Sequence, residues 1–184
     1  MVLVLLTALF STPDPGCVVW LSTEEHTQYG VHVRVETTVE APVAEVLRAL
    51  EDFEHYPEYM PRVRRAQRRP GGIVYTEIAS PWPLKDVWFV AQVKREQVRD
   101  GFVLSWKMRD GNIRQNDGAW WISELPGGHT RLRYEGTVAL FHVIPPLLLR
   151  MVEQRELPKV VQAVRVRATR GGPLQCRETQ VQGF

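Results

Sequence analysis

Apolar residues along this chain change period twice. Val31, Val33, Val35 and Val39 fall on one parity and His32, Arg34 and Glu36 on the other, which predicts a half-buried strand. After Pro42 the spacing turns helical, with Val43, Val46, Leu47 and Leu50 leading up to the acidic cluster Glu51, Asp52 and Glu54. Phe53, Tyr56 and Tyr59 continue as a second short helix, which Pro57 and Pro61 keep from growing. Alternation then returns. The runs from Val63 to Arg69 and from Ile73 to Ala79 flank Pro70-Gly71-Gly72, the pattern of an antiparallel hairpin. Further strands follow over Val87 to Val93, Phe102 to Met108, Gly118 to Ile122 and Leu132 to Leu140, each with one apolar face. After Pro145-Pro146 the period becomes helical again. Leu148, Met151, Val152, Leu157, Val160, Val161, Val164 and Ala168 form one stripe, predicting a long C-terminal helix kinked at Pro158 unless a loose turn there absorbs the missing donor, and a frayed polar tail follows.

One strand, two short helices, about six antiparallel strands and a long final helix make an α+β pattern, in which a single sheet buries its apolar face against a single helix. A sheet that curves around the helix satisfies this order. The length of 184 residues suits one domain, and 44% hydrophobic with 24% charged residues excludes collagen-like and disordered classes. Lys and Arg number 23 against 21 Asp and Glu, a net charge of +2, so bulk charge gives no reason to expect a nucleic acid partner. Cys17 and Cys176 lie one in each tail without metal spacing, and His26, His32, His55, His129 and His142 show no HxH or HExxH arrangement. No cofactor or metal is implied. The opening MVLVLLTALF is too short to span a bilayer, which takes about 20 residues. It is signal-like but incomplete, lacking a preceding Lys or Arg and a following A-x-A site, so cytoplasmic and exported locations both stay open.

Four segments carry a resemblance: VEAPVAEVLRALEDFEHYPEYMPRV (Val39 to Val63), SPWPLKDVWFV (Ser80 to Val90), GAWWISELPGGHTRLRYEG (Gly118 to Gly136) and IPPLLLRMVEQRELPKVVQAVRVRA (Ile144 to Ala168). On these residues the chain resembles the START-like superfamily of polyketide cyclases/dehydrases and lipid-transport proteins, which includes coenzyme Q-binding proteins. The most recognisable block surrounds Ala41, Pro42, Asp52, Tyr56, Pro57, Met60 and Pro61, and the likeness spans residues 31 to 169. It implies a helix-grip fold, a curved antiparallel sheet wrapped around the long helix. A cavity between them would hold an apolar small molecule, lipid or quinone. Residues 21–170 form the ligand-binding domain in this reading, between an apolar segment at 1–20 and a polar tail at 171–184.

The inward parity carries Phe89, Phe102, Trp106, Trp120 and Tyr134, which with Met151 and Val152 from the helix either fill a dry interior or line a pocket. Tyr56, Tyr59 and Met60 belong to a segment placed to gate access. Trp82, held between Pro81 and Pro83 on stiff backbone, reads as a lid or membrane-touching tip, or as a staple over the sheet edge. Family members often carry Arg after the Asp of a P-L-x-D-R pattern; here Val87 stands there, which weakens any role for that anchor. Arg62, Arg64, Arg65, Arg68 and Arg69 form one basic cluster. Arg150, Arg155, Lys159, Arg165, Arg167 and Arg170 form a second along the final helix. Both read as solvated or edge-protecting charge, or as surfaces for anionic membrane or RNA.

Nucleophile-elbow, P-loop and dinucleotide motifs do not occur, so no catalytic residue is assigned. Asp52 and His55 at helical spacing read as a surface pair or cap. The expected function is a carrier that binds a hydrophobic ligand internally, with transient contact to an anionic membrane. The alternatives are a cyclase, whose acid/base group would come from Glu77, Asp86, Tyr134 or His142, and a protein-interaction module with a filled core. Oligomeric state is left open.

Overall fold

The alternating segments pair as their parity requires. The computed structural model describes residues 18–27, 29–80, 84–143, 145, 147, 152–170 and 180–183. In chain order these form β1 (Val18–Thr27), β2 (Gly30–Val39), α1 (Val43–Glu51), α2 (Tyr56–Tyr59), β3 (Val63–Arg69), β4 (Ile73–Ile78), β5 (Val87–Val98), β6 (Gly101–Gly111), β7 (Gln115–Leu125), β8 (His129–Ala139), α3 (Leu157–Ala168) and β9 (Gln180–Gly183). A 3-10 turn, Phe53–His55, joins α1 to α2. One sheet results, in the order β3-β4-β5-β6-β7-β8-β2-β1-β9, and α3 lies across its inner face with α1. This is the α+β helix-grip arrangement the resemblance implies.

Two strands have no counterpart in the alternation pattern. β1 pairs antiparallel with β2, and β9 pairs parallel with β1 from Val18↔Gln180 to Leu21↔Gly183. Only the start of β1 is apolar, and β9 is four residues within a polar tail. Both take the strand state from their neighbours more than from their own side chains. Gln180–Gly183 is therefore paired, not frayed.

Pro158 does not kink a continuous helix; it stands in the first turn of α3, where its missing N–H breaks no helical bond. A π-helical turn, Val152–Glu156, leads directly into α3.

The interior is divided along the strands. At one end Val46 and Leu50 of α1, Ile122 of β7, Leu132 of β8, and Val161 and Val164 of α3 are sealed into a dry core. Arg165, only 4% exposed, ties α3 to Glu40 at 2.7 Å, and the buried Thr130 hydroxyl donates to the Ala41 carbonyl at 2.6 Å. These contacts fix the start of α1 against the sheet and the helix, closing that end. Towards the other end the sheet stays open beneath the first turn of α3.

The junction of α1, α2 and α3 is held by charge. Asp52 accepts hydrogen bonds from His55 and from Arg167 of α3, each at 2.5 Å. Burial pushes the Asp52 carboxyl up, but the His55 and Arg167 hydrogen bonds outweigh it and hold the group below its ordinary 3.8. The Asp52 hydrogen bond raises His55 above 6.5. A raised His value stabilises fully below the unfolded value of 6.5, and that contribution is lost as pH rises through the folded value. The Asp52 contribution runs the opposite way, present above 3.8 and lost as acid protonates the group. Thermal melts are therefore expected to show a small decline in Tm as pH rises above 6.5. The decline should vanish in His55→Gln; a decline unchanged in that variant assigns it elsewhere.

Candidate functional site

The open end is a cavity of about 360 Å3, within the range of about 300–1,000 Å3 typical of small-molecule sites. Its walls come from seven strands, β2 to β8, among them Val33 of β2, Val63 of β3, Val74 of β4, Phe89 and Ala91 of β5, Trp106 of β6, Trp120 of β7 and Tyr134 of β8. Leu157 and Val160 of α3 form the roof, and Tyr56 and Met60 close one side.

A pair of glycines explains why so many aromatic rings leave a space. Gly118 and Gly136 stand opposite each other on β7 and β8, and Trp106 on β6 is the cross-strand partner of Gly118. A Cβ on Gly118 would lie 2.6 Å from the Trp106 ring, and one on Gly136 would lie 2.7 Å from the Tyr134 hydroxyl. With no side chain beneath them, both rings lie down on the sheet and stack at 5.6 Å between centroids. Trp120 meets Tyr134 edge-on at 4.9 Å. The aromatic wall is thus flat, and the volume above it stays empty. Gly118→Ala forces its Cβ to within 2.5 Å of the Glu135 carbonyl as well. It is expected to cost about 1–3 kcal/mol in denaturant unfolding, because backbone and Trp106 must both shift. A change within a few tenths of a kcal/mol would mean that the rings do not need this glycine.

The polar groups of the wall are few and mostly committed. Trp106 Nε1 donates to Asn116 Oδ1 at 3.0 Å. The Tyr56 hydroxyl donates to the Leu50 carbonyl at 2.6 Å, capping the last turn of α1, and Tyr59, outside the wall, does the same for Ala49 at 2.5 Å. Burial pushes the Tyr134 hydroxyl up to about 12, so it stays protonated at neutral pH. At the rim, Arg62 donates to Glu156 at 2.8 Å, linking the loop before β3 to the π-helical turn. The Arg62 hydrogen bond holds the Glu156 carboxyl below its ordinary range. Arg62 adopts left-handed backbone, φ 63°, and its carbonyl accepts from the Ala79 N–H at 2.8 Å. That conformation is uncommon outside glycine, and contacts on both sides of the residue hold it.

Six of the residues singled out by sequence meet in this cavity: Tyr56, Met60, Phe89, Trp106, Trp120 and Tyr134. Tyr59 and Phe102 do not line it. Tyr59 turns to α1 and lies 5.1 Å beneath the Arg167 guanidinium, while Phe102 stands at the far end of β6, against the dry core and Arg95. Trp82 and Met151 fall outside the described residues, as does the side chain of Val152. Cys17 and Cys176 lie outside them too.

Of the acid/base candidates only Tyr134 reaches the cavity. Glu77 sits on the outward parity of β4 beside Tyr75, Asp86 pairs with Arg64 at 2.6 Å, and His142 is exposed in the loop after β8. Among the described residues, no group of three or more His, Cys, Asp or Glu is placed to hold a metal ion. Asn116 and Glu156 escaped sequence reasoning, which read Arg62 only as a member of a basic cluster. The signal for Asn116 was present, since it extends the inward parity of Gly118, Trp120 and Ile122 by one step.

The two basic clusters separate in character. Arg64, Arg65, Arg68 and Arg69 are exposed on β3, the edge strand, where charge opposes pairing with another chain. Along the final helix four cations are drawn into pairs: Arg165 to Glu40, Arg167 to Asp52, Lys159 to Glu156 and Arg170 to Glu45.

Comparisons with known proteins agree with this geometry. The structure is similar to a STAR-related lipid transfer protein fragment from Xanthomonas axonopodis, with a TM-score of 0.64, 16% identity, and coverage of 81% of this chain and 98% of that one. It is similar to human STARD10, with a TM-score of 0.71, 13% identity, and coverage of 87% and 72%. The Zhui aromatase/cyclase from Streptomyces sp. R1128 matches with a TM-score of 0.60, 19% identity, and coverage of 76% and 93%. At these identities the likeness shows the fold. No curated protein sequence matches the chain. Residues 39–165, a stretch that includes α1, α3 as far as Arg165 and every strand lining the cavity except β2, match the sequence profile of one family. The chain belongs to the polyketide cyclase/dehydrase and lipid transport family.

Proposed function

We propose that this protein is a carrier that binds one hydrophobic small molecule or lipid inside the cavity. The observation that carries the reading is the cavity wall itself: an aromatic and aliphatic surface kept open by the Gly118 and Gly136 pair. Apolar surface removed from water contributes roughly 25 cal/mol per Å2, about 0.8 kcal/mol for each methylene, so a modest acyl or prenyl body provides the driving force. Lipid transfer in the name of the Xanthomonas axonopodis neighbour points the same way.

A cyclase, as in the aromatase/cyclase neighbour, finds less support. Tyr134 stays protonated and donates rather than accepts a proton at neutral pH, and Glu156 is held as a carboxylate by Arg62 at the rim. Titration with quinones, fatty acid esters and phospholipids tests the carrier reading, because Trp106 and Trp120 lie in the wall and report occupancy through their fluorescence. A change saturating at one ligand per chain is expected for at least one class. No saturable change with any of them would contradict it.

A further inference from the structure

We propose that the cavity is built around a neutral carbonyl group, so that its ligand is an apolar molecule bearing a ketone, ester or quinone oxygen. This rests on the cavity being a ligand site. Asn116 is only 9% exposed and lines the cavity. The orientation of its amide is fixed by chemistry: the Trp106 indole N–H can only donate, so the atom it meets at 3.0 Å is Oδ1. The Nδ2 donors must then face away from the indole. Among the described residues no protein acceptor takes them, and none takes the Tyr134 hydroxyl proton.

Both donors belong to the same stretch of the cavity wall. Asn116 is the cross-strand partner of Val138, two residues beyond Gly136, and the Tyr134 hydroxyl lies directly over Gly136. One carbonyl oxygen has two lone pairs and can accept from both. A hydrocarbon that covers these donors leaves them with neither water nor an acceptor, at about 1–3 kcal/mol each, a cost that a ligand carbonyl avoids.

Charge argues against a carboxylate in the same place. Arg62 is the cation in the described wall, and it is at the rim, engaged with Glu156. A carboxylate beside Asn116 would be desolvated without a counterion, which costs far more than burying a neutral carbonyl. The Tyr134 proton is also well retained there, consistent with a hydroxyl that donates.

The test compares three probes on the full chain: pyrene, which has no acceptor, methyl laurate, which has a neutral carbonyl, and laurate. Methyl laurate is expected to bind at least tenfold more tightly than laurate at pH 8. Asn116→Asp keeps an acceptor for Trp106 and removes the donor; it should lower the ester-to-pyrene affinity ratio about tenfold. Tyr134→Phe, which keeps the ring stacking, should lower the ratio in the same direction. An unaltered ratio in both variants, or laurate binding as tightly as its ester, overturns the carbonyl proposal while cavity binding stands. Failure of pyrene and ester alike to bind the unmodified chain overturns both.

Discussion

Ala91→Phe is expected to weaken binding of any cavity ligand by more than tenfold while leaving the protein folded. Ala91 is 2% exposed and lies on the inner parity of β5 between Phe89 and Val93, all three facing the cavity. A phenyl ring on that Cβ enters volume that the ligand would occupy. Overpacking a filled core costs about 1–3 kcal/mol, but here the added atoms meet empty space and gain contacts with the opposite wall. Tm should therefore stay within a few degrees of the unmodified protein while the tryptophan fluorescence titration is lost. A folded variant that binds as before would place the ligand outside this cavity.

Trp120→Ala is expected to be the most destabilising single change in the wall. Trp120 sits where the two halves of the interior meet, packed in the dry core on one side and edge-on against Tyr134 on the other. Its removal lowers burial and joins a new void to an existing one, so the surroundings have little to collapse onto. Large-to-small changes of this kind cost about 3–5 kcal/mol, and the upper half of that range is expected here. For a chain of this size the melting temperature should fall by about 10 °C or more. Trp120→Phe, which retains a ring against Tyr134, should recover much of the loss. If Trp120→Ala melted within a degree or two of the unmodified chain, the indole would not be part of the structural wall.

The inner residues of the sheet were legible because period-two alternation sorts side chains directly. Phe89, Trp106, Trp120 and Tyr134 could be placed on one face before any strand was paired. Parity gives the face but not the position along it. Phe102 shares its parity with Leu104 and Trp106, yet the register carries it to Ile122, at the closed end of the sheet, where α1 covers the strands. Tyr59 failed for another reason. Its hydroxyl satisfies an orphan carbonyl of α1, a demand that arises only once the helix end has a location.

The Arg62 and Glu156 pair was illegible for the same physical reason, since 94 residues separate two side chains that only the closed fold brings together. Asn116 was hidden by expectation of apolar residues on an inward strand face. A polar residue on such a face has to find a partner, and the Trp106 indole takes only half of this amide. β1 and β9 lay beyond the pattern altogether, because edge pairing is decided by what the neighbouring strand offers.

The cavity also explains how one wall can serve stability and binding together. The stacked Trp106 and Tyr134 rings cover two glycines, which alone would leave the sheet backbone open, and they present their other faces to the empty volume. The aromatic surface is part of the fold whether or not a ligand lies on it. At the rim, the Arg62 and Glu156 pair joins the loop before β3 to the π-helical turn.

The central claim is that this cavity carries a hydrophobic molecule. Native mass spectrometry of the full chain after expression in a cell, with organic extraction of whatever co-purifies, tests it most directly. The full chain is needed because Val19 of β1 is completely buried in the core. A stoichiometric neutral lipid or quinone, absent from Ala91→Phe prepared in the same way, is the result this account predicts. A bare protein mass that stays bare when the chain is challenged with quinones, fatty acid esters and phospholipids would contradict it.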